Sequence, residues 1–184
     1  MKNNIQDYSQ VINFWFNEIE PVFWFKKDSN FDDRIRKQFL DTYLSATRCE
    51  LYEWRSTAEG RLAEIIVLDQ FSRNMFRDSA QAFTFDSLAV TLTQEAISAG
   101  FDLQLPLQQR KFIYMPLMHS ESLIIHQLAV KMFSQKGLED NYEFEIRHKK
   151  IIEQFGRYPH RNVALARTST LEELEFLNQP GSSF

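Results

Sequence analysis

Ser56-Thr57-Ala58-Glu59-Gly60-Arg61-Leu62-Ala63-Glu64-Ile65-Ile66-Val67-Leu68 is the stretch on which the fold turns. It opens with Ser-x-x-Glu, a capping box in which the Ser56 and Glu59 side chains satisfy backbone N–H groups left open at a helix start. From Leu62 to Leu68 it is apolar nearly all round, and a helix without a polar face belongs in the centre of a fold. The remaining chain must wrap it.

Towards the N-terminus, Tyr8, Val11, Ile12, Trp15, Phe16 and Ile19 recur at the helical period and stop before Pro21. After Val22-Phe23-Trp24-Phe25, Ser29 or Asn30 is the predicted cap of a second helix. Its apolar line is Phe31, Ile35, Phe39, Tyr43, Ala46 and Cys49 or Glu50, reaching about Trp54. Towards the C-terminus, Phe85 to Ala99 reads as a helix stopped by Gly100. Another starts at Pro106 and is ended or kinked at Pro116. Ser120 is expected to cap 121–136, with Gly137 after it. Glu139–Phe155 follows, with Phe144, Ile151, Ile152 and Phe155 inward and Gly156 as its stop. Ser169-Thr170-Leu171-Glu172 is a second capping box, starting a short helix that ends before Pro180. No strand-like alternation competes. The reading is all-α: seven or eight antiparallel helices with short connections, in one domain over 1–184.

Composition agrees. In 184 residues, 43% hydrophobic and 14% aromatic content supplies a core, while five Gly and five Pro speak against a turn-rich β barrel. A net charge of −4 gives no field for nucleic acid, so none is expected as a partner. One cysteine, Cys49, excludes an internal disulfide and four-cysteine zinc sites, and reads as a core or near-core residue. No apolar run approaches the roughly 18 residues of a membrane span. The N-terminal Met1-Lys2-Asn3-Asn4 stretch lacks signal-peptide character. A cytoplasmic protein without a membrane partner is expected. No cofactor motif is present.

Three polar constellations interrupt the apolar pattern. The first is Asp69-Gln70-Phe71-Ser72-Arg73-Asn74-Met75-Phe76-Arg77. The helix turns Asp69 to the apolar side, where a carboxylate needs a partner. Arg73 at i+4 is in reach and Arg77 extends the series. The pair either locks a helix end or, with Asn74, faces a ligand. The second is Pro116-Leu117-Met118-His119-Ser120-Glu121, where His119 and Glu121 arrive beside a helix break and His126 lies two turns on. Metal ligation there needs a third group from elsewhere, such as His148 or Asp69, and no His-Glu-x-x-His helix exists. No metal set is assigned. The third is His148 followed by Phe155-Gly156-Arg157-Tyr158-Pro159-His160-Arg161-Asn162. Phe144 to Arg167 holds six Arg/Lys and two Glu, a local excess of +4 in an acidic chain. Guanidinium groups at a helix junction suit a carboxylate or phosphate. The competing reading is a solvated basic face, or arginines stapling helix ends.

Together these three stretches resemble a bacterial family catalogued as domain of unknown function 924. Trp24-Phe25, Asp32, Trp54 and Arg110-Lys111-Phe112-Ile113-Tyr114 also fit, so the resemblance runs from about Tyr8 to Phe184. It implies tetratricopeptide-like helix hairpins and no established activity. Ser72 stands where the family pattern has proline, and Ala166 where it has glycine.

Two functional classes and a bland alternative follow. In the first, Asp69, Arg73, Asn74, Arg77, His119, Glu121, Arg157, Arg161 and Asn162 bind a small anionic ligand, with His148 or His160 as general base. In the second, the helix hairpins form a protein- or peptide-binding scaffold with an exposed groove around Trp15, Phe16, Trp24 and Phe25. In the third, the polar clusters are packing devices.

Overall fold

The computed structural model describes residues 4–182; residues 1–3 and 183–184 of the expected 1–184 domain lie outside them. Eight helices and no strand occur among the described residues. Helix α1 is Tyr8–Asn13 continued by a π-helical turn, Phe14–Glu18; α2 is Ser29–Thr47. Helix α3 spans Ala58–Ile66 and runs through a second π-helical turn, Val67–Phe71, into Ser72–Met75. Then come α4 (Asp86–Ser98), α5 (Leu107–Met118), α6 (Leu123–Phe133), α7 (Glu139–Phe155) and α8 (Leu171–Leu177).

Helix α3 is the centre that its apolar sequence requires. It packs against α1, α2, α4 and α5, and every residue from Leu62 to Ser72 is buried. Gly60 lets the 52–56 turn cross it closely, since a Cβ there would lie 2.0 Å from the Trp54 carbonyl oxygen. Helix α6 joins α5 to α7, and α8 lies beyond the loop that follows α7. The main apolar cluster gathers residues from α1 to α6, whereas Ile151, Ile152 and Tyr158 form a separate small one.

Several local expectations are corrected. Asp28, not Ser29 or Asn30, caps α2, accepting from the Asn30 and Phe31 N–H groups. Helix α2 stops at Thr47 rather than near Trp54, because the chain turns left-handed at Cys49 (φ 58°). Cys49 is therefore exposed, not part of the core. Thr57 caps α3 in place of Ser56, whose hydroxyl donates to the Glu53 carbonyl. Helix α5 neither ends nor breaks at Pro116: it continues to Met118, with both flanks buried. Ser122, not Ser120, precedes α6, which ends at Phe133. The last capping box is Thr170 with Glu173, one residue later than the Ser169–Glu172 reading. Phe144 faces outward, 49% exposed. Gly100 and Gly156 adopt positive φ as helix stops, in line with the sequence, whereas Gly137, also at positive φ, lies in the turn before α7, beyond the end of α6 at Phe133.

Candidate functional site

The π-helical turn in α3 sets Asp69 and Gln70 side by side in the interior. Wide turns of this kind recur at functional positions because they re-aim consecutive side chains. Asp69 Oδ2 accepts from Gln70 Nε2 at 2.6 Å, while Oδ1 meets His119 Nδ1 at 2.8 Å and Arg73 Nη1 at 3.1 Å. Burial alone would raise Asp69, but the Arg73 guanidinium and the bond to His119 hold its carboxyl well below the usual range. Burial likewise pushes His119 downward, so its imidazole is neutral near pH 7. An ionised carboxylate can only accept, so Nδ1 carries the ring proton. Nε2 is left as the lone-pair nitrogen; it makes no hydrogen bond among the described residues, and the side chain is 18% exposed.

Two arginines border this dyad. Arg73 grips Asp86 through both terminal nitrogens, at 3.0 and 2.9 Å. Arg161 reaches the same Asp86 at 3.3 Å and donates to the His119 carbonyl oxygen at 3.0 Å. Its guanidinium lies between the rings of Phe83 and Tyr158, 4.6 and 4.5 Å from their centroids. Its Nε is buried with no hydrogen-bond partner among the described residues.

The loop carrying Arg161 is held by a second set of ion pairs. Residues 162–167 close in a Schellman turn: Arg167 N–H returns to the Asn162 carbonyl and Ala166 N–H to Val163, with Ala166 at φ 52°. This is the left-handed site where glycine fits without a Cβ penalty. The turn sends Arg167 back to Glu121 in a two-bond clasp, at 2.7 and 2.9 Å, and Glu121 also accepts from Tyr158 N–H. Arg157 clasps Glu173, which also receives Asn162 Nδ2 and, in the capping box, Thr170 N–H. The Arg157 bonds lower the Glu173 carboxyl to about 2.

All four histidines of the chain gather around Tyr158 or its neighbours. His148 Nδ1 donates to the Phe144 carbonyl at 2.7 Å, and burial takes its imidazole to about 3. The His160 ring lies tilted against Tyr158, 5.5 Å between centroids, and burial followed by Arg161 takes it to about 4. Tyr158 donates to the Met118 carbonyl, tying the loop to the end of α5.

Asp69, Arg73, His119 and Arg161 thus share one contact network, with Glu121, Arg157 and Asn162 in the adjoining loop network. Asn74 and Arg77 turn away to Asp32 on α2, at 2.8 and 2.7 Å. Gln70, Phe83, Asp86, Arg167 and Glu173 escaped the functional reading of the sequence. Asp86 looks like an ordinary first-turn acid, and only its two arginine partners reveal its place. Among the described residues, no group of three His, Cys, Asp or Glu has metal-holding geometry. A shallow depression of about 480 Å³ on α2, lined by Asn30, Asp33, Arg34, Lys37 and Gln38, contains none of the candidate residues and is surface relief between long side chains. No helix among the described residues is long and apolar enough to cross a membrane.

A family model described as a bacterial protein of unknown function, DUF924, matches residues 11–181. A solved structure of a protein of unknown function from Agrobacterium tumefaciens is 36% identical. It matches 93% of this chain and 96% of that one, with a TM-score of 0.89. No curated protein matches.

Proposed function

The chain belongs to the DUF924 family of bacterial proteins of unknown function, and from its own geometry we propose that it binds a small anionic ligand beside His119. Nε2 of His119 then accepts a proton from a hydroxyl or acidic C–H of that ligand. The observation that carries this reading is the Asp69–His119 bond, in which a buried carboxylate fixes Nδ1–H and leaves Nε2 as a neutral lone-pair nitrogen. A base site needs that tautomer at working pH. Arg73 and Arg161 supply the positive charge for the anion. Glu121, Arg157 and Asn162 hold the loop that brings Arg161; Asn74 and Arg77 hold the end of α3 against α2. His148 and His160 stand behind His119 as secondary candidates for the base, because His148 is buried and already committed to a carbonyl.

In this reading the protein works as one domain over 1–184 in the cytoplasm, without nucleic acid or membrane. A tetratricopeptide-like scaffold for peptides is the competing function. Burial of Trp15 and Trp24 weighs against it, although Phe25 is 68% exposed.

Isothermal titration with inorganic phosphate, succinate and lactate tests the proposal. Saturable heat is expected for at least one probe, weakened about tenfold or more in both His119→Gln and Arg161→Lys, each shown by circular dichroism to remain folded. No saturable heat with any probe, or unchanged affinity in both variants, overturns it.

A further inference from the structure

The deepest polar contact outside the candidate site joins α6 to α7. His126 and Glu145 are both 0% exposed, with Nδ1 2.7 Å from Glu145 Oε1. The other ring nitrogen, Nε2, lies 2.9 Å from the Ser120 carbonyl oxygen and 3.2 Å from the Tyr158 hydroxyl. A carbonyl can only accept, and the Tyr158 hydroxyl already donates to the Met118 carbonyl. Nε2 must therefore carry a proton. Nδ1 is then either an acceptor, facing a protonated glutamate, or a second donor on an imidazolium, facing a carboxylate.

The surroundings choose between these. Among the described residues Glu145 Oε2 is buried and has no hydrogen-bond partner. An ionised carboxylate with one bare, desolvated oxygen is far costlier than a neutral acid whose carbonyl is bare. The charged and titratable groups acting on this cluster are Lys149 and His148 on α7, Tyr158, His160 and Arg161 from the loop, Arg73 on α3, and Glu121 and His119 at the α5–α6 junction. His126 itself and then Lys149 favour an ionised glutamate, but the Lys149 ammonium is turned to Glu153 at 2.6 Å. Burial, the leading influence, drives Glu145 upward.

We infer that Glu145 is carried as a neutral carboxylic acid whose proton is bonded to His126 Nδ1, making the joint of α6, α7 and the Tyr158 loop a latch that alkali opens. When the proton is removed, two lone pairs face each other across the 2.7 Å contact. Tyr158, bonded to His126 and leading to Arg161, loses one of its holds on the joint. The sign follows from proton counts. An opened joint exposes an ordinary glutamate and histidine, with values of about 4.3 and 6.5. Above about pH 6.5 the open form holds neither proton while the closed form keeps one, so opening grows about tenfold per pH unit. This inference does not depend on any ligand at His119.

Glu145→Gln keeps the shape and donates an amide N–H to Nδ1, imitating the neutral acid. Infrared difference spectra between the parent and this variant at pH 7 should show a protonated-carboxyl carbonyl stretch that the variant lacks. Hydrogen-exchange protection of 157–167, corrected for intrinsic pH dependence, should fall about tenfold per unit above pH 6.5 in the parent and stay flat in the variant. The absence of that band, or an alkaline loss of protection that survives Glu145→Gln, overturns the inference.

Discussion

Around Phe71 the rings of Phe14, Trp15 and Phe39 lie 5.9, 5.4 and 4.7 Å away, all fully buried. Around Tyr158 the neighbours are His126, His148, His160 and Arg161, and its small apolar cluster holds Ile151 and Ile152 with the half-buried Phe155 and Phe176 against them. The first region is held by area removed from water, which carries no titrating group. The second is docked by directional bonds among Glu121, Arg167, Arg157 and Glu173. A loop held this way is positioned accurately while sharing little of the core's stability. The Asp69 network lies between the two, rooted in α3 and completed by Arg161.

Phe71→Ala should separate the regions most sharply. It removes the ring at the centre of the aromatic cluster and should cost about 3–5 kcal/mol, read as a lowered urea midpoint for the whole molecule. Asp69→Asn comes next, at about 3 kcal/mol, since it leaves Arg73 and His119 without their buried carboxylate. An unchanged midpoint would instead show that the charge is kept at a cost to stability, for function.

Acid should act mainly on the Tyr158 region. His148 and His160 are held to about 3 and about 4, below the unfolded value of about 6.5. The unfolded chain therefore binds protons that the native one refuses. Stability should fall from about pH 6.5 down to about 4 for His160 and about 3 for His148, by up to about 1.4 kcal/mol per unit for each. Asp69 acts with the same sign in a lower window: its contribution stands above the ordinary carboxylate value of about 3.9 and is lost only in stronger acid. A titration of stability with a flat response between pH 6.5 and 4.5 would erase this contrast.

Glu173→Gln weakens the clasp on Arg157 and should cost about 1–2 kcal/mol, seen in hydrogen exchange of 157–173 and not in α3. Ala166→Gly should have the smallest effect, a gain of no more than about 1 kcal/mol. The relief of left-handed strain is partly offset by the freer unfolded chain. A loss would mean that the alanine methyl packs usefully in the turn.

The fold was legible because it rests on periodicity. The all-round apolar run from Leu62 to Leu68 marked the central helix, and Gly100 and Gly156 marked two helix ends. Caps were legible only to within one or two residues, because Ser56 and Thr57, Asp28 and Ser29, or Ser120 and Ser122, differ too little in side-chain chemistry for sequence to rank them. Pro116 misled for a related reason: a local propensity predicted a break that burial on both flanks overrode.

The candidate site was half legible. Asp69–Arg73 is an i,i+4 pair within one helix, and sequence alone determined it. Which partner each remaining charge takes was decided only by tertiary structure. Arg161 meets Asp86 from 75 positions away and Arg167 meets Glu121 from 46. His119, at the end of α5, finds Asp69, in the π-helical turn of α3, from 50 away. Sequence spacing encodes neighbours along one helix. The choice among equally charged partners on different helices belongs to the packing, because burial makes each unpaired charge costly and so fixes which ones must meet.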